Sequence, residues 1–117
     1  MERKVIDLTA CITRGTFIKI ADKEYEIRFS YSALKSLEEQ YGNVGMALDS
    51  LLSNEKKYEN VLNFLYAACG EKYNLKKTDI EEWITLSTIE ILRNVIYDAI
   101  MGAFGQGNGE EQTQGEA

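Results

Sequence analysis

Between residues 25 and 42 the hydrophobic pattern changes from strand-like alternation to helical spacing. In residues 25–29 apolar and polar side chains alternate, which is typical of a half-buried strand. The apolar positions there are Tyr25, Ile27 and Phe29. From residue 31 the apolar side chains recur at three and four residues, which is one face of a helix. These positions are Tyr31, Leu34, Leu37 and Tyr41. The pattern predicts a strand followed at once by a helix, capped by Ser30 or Ser32 and ended by Gly42.

A second alternating segment precedes this strand and predicts a β-hairpin. Thr16, Ile18 and Ile20 share one face of residues 16–20. Residues 21–24 separate the two segments, which suits a four-residue loop containing Asp22. The pattern of residues 1–13 allows two interpretations, an edge strand or a segment that packs over the sheet. Their apolar residues are Val5, Ile6 and Leu8.

Two further helices are predicted in the middle of the chain. Asn43 can cap a short helix that ends at residues 53–54; its apolar face is Val44, Ala47, Leu48, Leu51 and Leu52. The next helix spans residues 55–69, with Gly70 as its end. Its apolar face is Tyr58, Val61, Leu62, Leu65 and Tyr66. Because the strand–helix segment and these helices must share a core, we expect Phe29, Leu34, Leu37 and Leu62 to be buried.

Two capping-box patterns divide the C-terminal region. Residues 78–81 and 87–90 each pair a Thr or Ser with a Glu three positions later, which predicts two helix starts. A break near Thr85 therefore separates a short helix from a long one at residues 87–104, about 27 Å long. The main apolar stripe of the long helix is Ile89, Leu92, Ile96, Ala99, Ile100 and Ala103.

These elements define an α+β fold: an N-terminal β-hairpin, with residues 1–13 as a candidate third strand, then about five α-helices, the last one long. We expect residues 1–104 to form a single domain. Residues 105–117 are rich in Gly, Gln and Glu and contain no large apolar side chain. Such a tail buries too little surface to offset its ordering entropy, so we expect it to be disordered.

Charge and composition exclude several classes of function. The formal net charge is −6, and from Lys76 onward three basic residues stand against eight acidic ones. Such a surface repels phosphate backbones, so we expect no nucleic-acid binding. No apolar stretch reaches about 18 residues, and no basic-then-apolar leader opens the chain, so we expect neither a membrane span nor a secretion signal. Cys11 and Cys69 are expected to be buried thiols, with a disulfide as the alternative.

The residues needed for common catalytic chemistry are missing from the sequence. The chain contains no histidine, which removes the usual neutral-pH base and the commonest metal ligand. No glycine loop opens a helix to hold phosphate. Adjacent glutamates diverge by about 100° on a helix and cannot share a ligand. We therefore expect no enzymatic activity, no cofactor and no metal.

The long helix has more apolar positions than one packing face needs. Ile91, Val95, Met101 and Phe104 fall outside its main stripe. Either the helix is central and covered on two sides, or it leaves an apolar strip for another chain. In the second case Tyr97, Met101 and Phe104 are the candidate partner-binding residues, since tyrosine is enriched at interfaces. The alternative for the tyrosines is the rim of the core, with the hydroxyl group in water.

The strand–helix segment also resembles a known family. Its Leu-x-x-Leu-Glu-x-x-x-Gly pattern is formed by Leu34, Leu37, Glu38 and Gly42. The preceding strand, the Trp83–Ile84 pair, the apolar last helix and the Gly/Gln/Glu tail add to this pattern. Together these features are similar to the tail assembly chaperones of long-tailed phages, which are related to gene-transfer-agent tail-region proteins.

The resemblance implies a function without catalysis. Proteins of this family bind the phage tape-measure protein and keep it soluble while tail-tube subunits polymerise around it. For this chain it implies the tape-measure protein as partner, with the tail-tube protein and a second copy as further candidates. It also implies location in the bacterial host cytoplasm and absence from the mature virion. The alternatives are a tail-completion or head–tail joining protein of the virion, and a small acidic inhibitor.

Overall fold

The computed structural model describes residues 3–9 and 15–103. An antiparallel hairpin is followed by five α-helices, and a π-helical turn extends the third of them. This confirms the predicted α+β fold with a long last helix. The elements are β1 (Thr16–Ile20), β2 (Lys23–Ile27), α1 (Tyr31–Tyr41), α2 (Val44–Leu52), α3 (Lys57–Leu65), the π-helical turn (Tyr66–Gly70), α4 (Lys77–Glu81) and α5 (Ile89–Ala103). The predicted tail at residues 105–117 lies outside the described residues, and the domain limit at residue 104 stays a prediction.

The hairpin has a two-residue turn, so the predicted four-residue loop is wrong. Ile20 pairs with Lys23, which leaves only Ala21 and Asp22 in the turn. Their φ angles are 50° and 71°. Positive φ at both positions is the type I′ requirement, and this turn matches the twist of the strands. The usual glycine signal is absent here, so the loop length was not visible in the sequence.

The described N-terminal residues, 3–9, contain no strand. Val5, Ile6 and Leu8 are 72%, 69% and 55% exposed. Both predictions for this segment, the edge strand and the packing over the sheet, are therefore wrong for the residues that the structure describes. An apolar segment thus lies outside the core.

The caps of α1 and α2 agree with the predictions. The Ala33 N–H donates to Ser30 Oγ at 3.4 Å, so Ser30, not Ser32, is the cap of α1. Gly42 has a φ of 101° and its N–H donates to the Glu38 carbonyl at 2.8 Å. The Met46 N–H donates to Asn43 Oδ1 at 2.8 Å. These local bonds fix both helix starts and the sharp turn between the helices.

The predicted apolar face of α3 is partly confirmed, because Val61 and Leu65 are buried and Leu62 is half-buried against the core. Tyr58 and Tyr66 are exposed, and the buried residues of the helix are Asn60, Val61, Phe64 and Leu65. The polar residue Asn60 lies on the inner face, which obscures the apolar stripe in the sequence. The helix begins at Lys57, and the π-helical turn continues it to Gly70, which confirms the predicted end.

The caps of α4 and α5 use different residues from those predicted. Thr78 lies inside α4, and the Lys76 N–H donates to the Asp79 carboxylate at 2.8 Å. Before α5, the Thr85 N–H donates to Thr88 Oγ1 at 2.8 Å and the Thr88 N–H donates to Thr85 Oγ1 at 3.2 Å. A single Lys76–Asp79 bond at α4 and a reciprocal Thr85–Thr88 pair before α5, both at three-residue spacing, thus replace the predicted pairs. The break near Thr85 is confirmed.

The inner face of α5 covers a core shared with the hairpin, α1 and α3. The stripe residues Ile89, Leu92, Ile96, Ala99 and Ile100 are buried as predicted, together with Ile27, Phe29, Leu37, Phe64 and Leu65. The rings of Phe29 and Phe64 meet edge to face at 6.1 Å between centroids. Of the predicted core residues, Phe29 and Leu37 are buried, whereas Leu34 and Leu62 are half-buried against the core.

The structure also tests the predicted burial of Tyr31 and of the cysteines. Tyr31 is 79% exposed, so its place on the apolar face of α1 is wrong. Cys69 is a buried free thiol, whereas Cys11 lies outside the described residues. No helix in the described part of the chain is long and apolar enough to cross a membrane.

Candidate partner-binding surface

Tyr97 and Met101 lie one turn apart on the same side of α5, and we call this pair the α5 flank. Helical spacing places them about 100° or more from the centre of the buried stripe. Tyr97 is 37% exposed, and Met101 is half-buried. Phe104, the third predicted residue, lies outside the described residues. The structure therefore places two of the three predicted residues one turn apart on α5, outside the buried stripe.

An ion-pair network occupies the start of the same side of α5. Glu90 accepts a hydrogen bond from Lys57 Nζ at 2.6 Å and one from Arg93 Nη2 at 2.8 Å. Arg93 Nη1 also lies 3.4 Å from the carbonyl oxygens of Leu51 and Ser53. The Lys57 hydrogen bond holds the pKa of Glu90 below its usual value. The first turns of α5 are thus tied to the ends of α2 and α3, and the α5 flank lies beyond this network.

A separate exposed apolar residue lies near the start of α5. Ile91 is 62% exposed, while Val95 packs against the core. Six residues at about 100° each place Ile91 roughly 120° around the helix from Tyr97. Within the described residues, α5 is therefore packed on one broad face, and Ile91 lies apart from the Tyr97–Met101 pair. This makes Ile91 a matched control for tests of the flank.

A groove of about 510 Å³ lies between β2, α1 and the π-helical turn. Its walls combine small apolar residues with polar side chains, among them Arg28, Ser32, Ser36, Tyr66, Lys72 and Asn74. Lys72 forms an ion pair with Glu26, and the Glu26 N–H donates to the Tyr73 hydroxyl at 2.8 Å. At Gly70 an added Cβ would lie 2.6 Å from the Tyr66 ring, so the observed position of this ring requires a glycine at residue 70.

Sequence reasoning missed this groove because the π-helical turn has no clear sequence signature. The only signal is the run of small residues Ala67, Ala68, Cys69 and Gly70. At the rim of the groove, Glu26 and Lys72 neutralise each other's charge in an ion pair. Besides this pair, the groove is lined by hydroxyl groups, a tyrosine ring, the Asn74 amide and the side chains of Arg28 and Glu71, which form no cluster suited to one ligand class.

Reactive groups are scarce in the described residues. No three His, Cys, Asp or Glu side chains within residues 3–9 and 15–103 lie close enough to hold a metal ion. Cys69 Sγ donates to the Leu65 carbonyl at 3.2 Å, and burial raises the pKa of this thiol to about 11. A thiol that stays protonated is a poor nucleophile.

Comparison of the chain with protein-family models, curated proteins and solved structures found no match. The resemblance carried by residues 25–42 is therefore a hypothesis about function, and the α5 flank makes it testable.

Proposed function

We propose that this protein is a tail assembly chaperone of a long-tailed phage, acting in the host cytoplasm. It binds the tape-measure protein, keeps it soluble during assembly of the tail tube, and leaves before the virion is complete. It acts by binding, without turnover of a substrate. The Leu34, Leu37, Glu38 and Gly42 pattern supports this proposal, as does the order of a hairpin, short helices and a long last helix, which agrees with the implied fold.

The observation that carries the proposal is the exposed Tyr97 beside Met101, beyond the ion-pair network of α5. A tape-measure protein is long and helical, and apolar residues one turn apart suit packing against another helix. Tyrosine is among the residues that contribute most to binding energy at interfaces. The α5 flank is therefore the surface on which we expect the tape-measure protein to bind.

The test is co-expression of a tape-measure fragment with the wild-type protein and with charged variants. Tyr97→Asp and Met101→Asp place an unpaired charge in the interface and should abolish rescue of the fragment. Phe104→Asp tests the third predicted residue. Ile91→Asp adds the same charge near the start of α5, about 9 Å along the helix from Tyr97, and should leave rescue unchanged. The measurement is the soluble fraction of the fragment.

Three results would contradict the proposal at different levels. Equal solubility of the fragment with and without the wild-type protein would remove the chaperone function. Rescue by every variant would keep the function and exclude the α5 flank. Detection of the protein in purified mature virions would instead favour the tail-completion or head–tail joining alternative. Circular dichroism of each variant checks folding, and Tyr97→Asp is the decisive one because Met101 is half-buried.

A further inference from the structure

The two edges of the hairpin differ in how their backbone groups are satisfied. With Ile20 paired to Lys23 across a two-residue turn, the ladder hydrogen bonds fall at Ile20, Ile18 and Thr16. The N–H and carbonyl groups of the intervening residues point away from the partner strand. On β2 such an outward group is used, because the Glu26 N–H donates to the Tyr73 hydroxyl at 2.8 Å. At Glu26 the β2 edge is thus covered by the chain itself, whereas within the described residues no hydrogen bond reaches the outward groups of Glu24.

The outward groups of β1 belong to Phe17 and Lys19. Within the described residues, no hydrogen bond reaches the N–H or the carbonyl of either one. Phe17 is also 61% exposed, and both side chains lie on the face turned away from the core. The chain has no proline to block this edge. An open edge with an exposed aromatic residue is a template for another strand.

We propose that β1 pairs antiparallel with β1 of a second copy, about a two-fold axis at Ile18. The pairing forms a four-stranded sheet in the order β2, β1, β1, β2. Phe17 of each copy then lies opposite Lys19 of the other, and each of these two pairs exchanges two backbone hydrogen bonds. The contact is self-complementary, as a two-fold dimer requires.

Side-chain charge selects this register among the symmetric ones. An axis at Lys19 would place two lysines directly opposite each other, which is unfavourable. An axis at Phe17 would place Lys19 opposite Gly15, which has no side chain to meet it. With the axis at Ile18, each Lys19 lies between Glu24 of its own hairpin and the Phe17 ring of the other copy. In this register the lysine can make a cation–π contact with that ring.

The dimer is expected to be weak, because a five-residue edge buries less than the roughly 1,000 Å² of stable interfaces. Association should therefore depend on concentration. The proposal does not rest on the tape-measure function, since it concerns a surface of the hairpin and a second copy of the same chain.

Sedimentation equilibrium of the full chain over a wide concentration range tests the proposal. Phe17→Lys places lysines opposite Lys19 and should raise the dimer dissociation constant about tenfold or more. Phe17→Glu places a carboxylate opposite Lys19 and should weaken the dimer much less. Tyr31→Lys changes an exposed residue on α1 and should have no effect. Amide exchange gives a second measurement, because the Phe17 and Lys19 N–H groups should become protected as dimer forms.

Several outcomes would overturn the inference. A wild-type chain that stays monomeric at every concentration excludes the dimer. Equal weakening by Phe17→Glu and Phe17→Lys excludes the register at Ile18, because an axis at Phe17 makes both changes like-charge pairs. Association that is lost in Ile6→Asp and kept in Phe17→Lys would assign the contact to the apolar N-terminal segment instead.

Discussion

Replacing Tyr41 and Asn60, singly and together, tests the polar cluster that joins α1 to α3. Asn60 is 7% exposed. Its side-chain oxygen accepts from the Tyr41 hydroxyl at 2.7 Å, and its amide donates to the Ser50 carbonyl at 3.0 Å and the Glu55 carbonyl at 3.3 Å. Asn63 Nδ2 also donates to the Tyr41 hydroxyl at 3.1 Å. The cluster thus fixes the end of α1 and the loop between α2 and α3.

The magnitudes follow from which polar groups lose their partners. Tyr41→Phe leaves the Asn60 oxygen without this donor and should lower the free energy of unfolding by about 1–3 kcal/mol. Asn60→Ala also leaves the Ser50 and Glu55 carbonyls without the amide, so we expect a loss of about 2–4 kcal/mol. Once Asn60 is absent, removing the Tyr41 hydroxyl costs less. The double variant should therefore show a coupling energy of about 1–2 kcal/mol.

Urea titration followed by circular dichroism at several wavelengths measures these free energies. Tyr58→Phe, at a tyrosine that is 45% exposed, is the control and should change stability by less than about 0.5 kcal/mol. Additivity of the two single changes within about 0.3 kcal/mol would refute the hydrogen bond between Tyr41 and Asn60.

Three further predictions test other parts of the fold. Leu37→Ala should cost about 2–5 kcal/mol through lost burial and a cavity; a loss below about 1 kcal/mol in denaturant titration would mean that Leu37 is not core. The double change Ala21→Asn with Asp22→Gly should stabilise the left-handed turn by about 1 kcal/mol, measured the same way; destabilisation would exclude the type I′ geometry. In a Cys11→Ser background, Cys69 should react with a thiol reagent only on unfolding, because its thiol is buried with a pKa of about 11; rapid native-state reaction would contradict this.

Local signals in the sequence predicted the elements well. Ser30, Gly42 and Asn43 make bonds within three or four residues of themselves, so their roles are readable from neighbouring positions. Alternation in the strands and the stripe of α5 were equally clear. At Thr85 and Asp79 the same logic gave the wrong partners, because several Ser, Thr and acidic residues offer the same three-residue spacing and only the folded chain selects one pair.

Features that depend on packing between elements were not readable. On the inner face of α3, Asn60 holds a core position although it is polar, because its hydrogen-bond partners come from α1, α2 and the loop before α3. The π-helical turn shifts the residues after Leu65, and the groove beside it follows from that shift. For the α5 flank, the sequence identified Tyr97 and Met101 as surplus to the stripe. The sequence could not show that Glu90 and Arg93 form an ion-pair network over the first turns of the same side of α5.

Changes at the two proposed surfaces, on β1 and on α5, should have independent effects. Both elements pack their inner sides on the same core, and the proposed surfaces lie outside it. Phe17 lies on the hairpin face turned away from this core, and Tyr97 lies beside the stripe with which α5 covers it. A charge at one position therefore leaves the packing beneath the other intact. We expect Phe17→Lys to lose self-association and still keep a tape-measure fragment soluble, and Tyr97→Asp to do the reverse. Sedimentation and co-expression on the same two variants measure this. Loss of both properties in Phe17→Lys, with an unchanged circular dichroism spectrum, would show that only the dimer binds the fragment and that the two surfaces do not act independently.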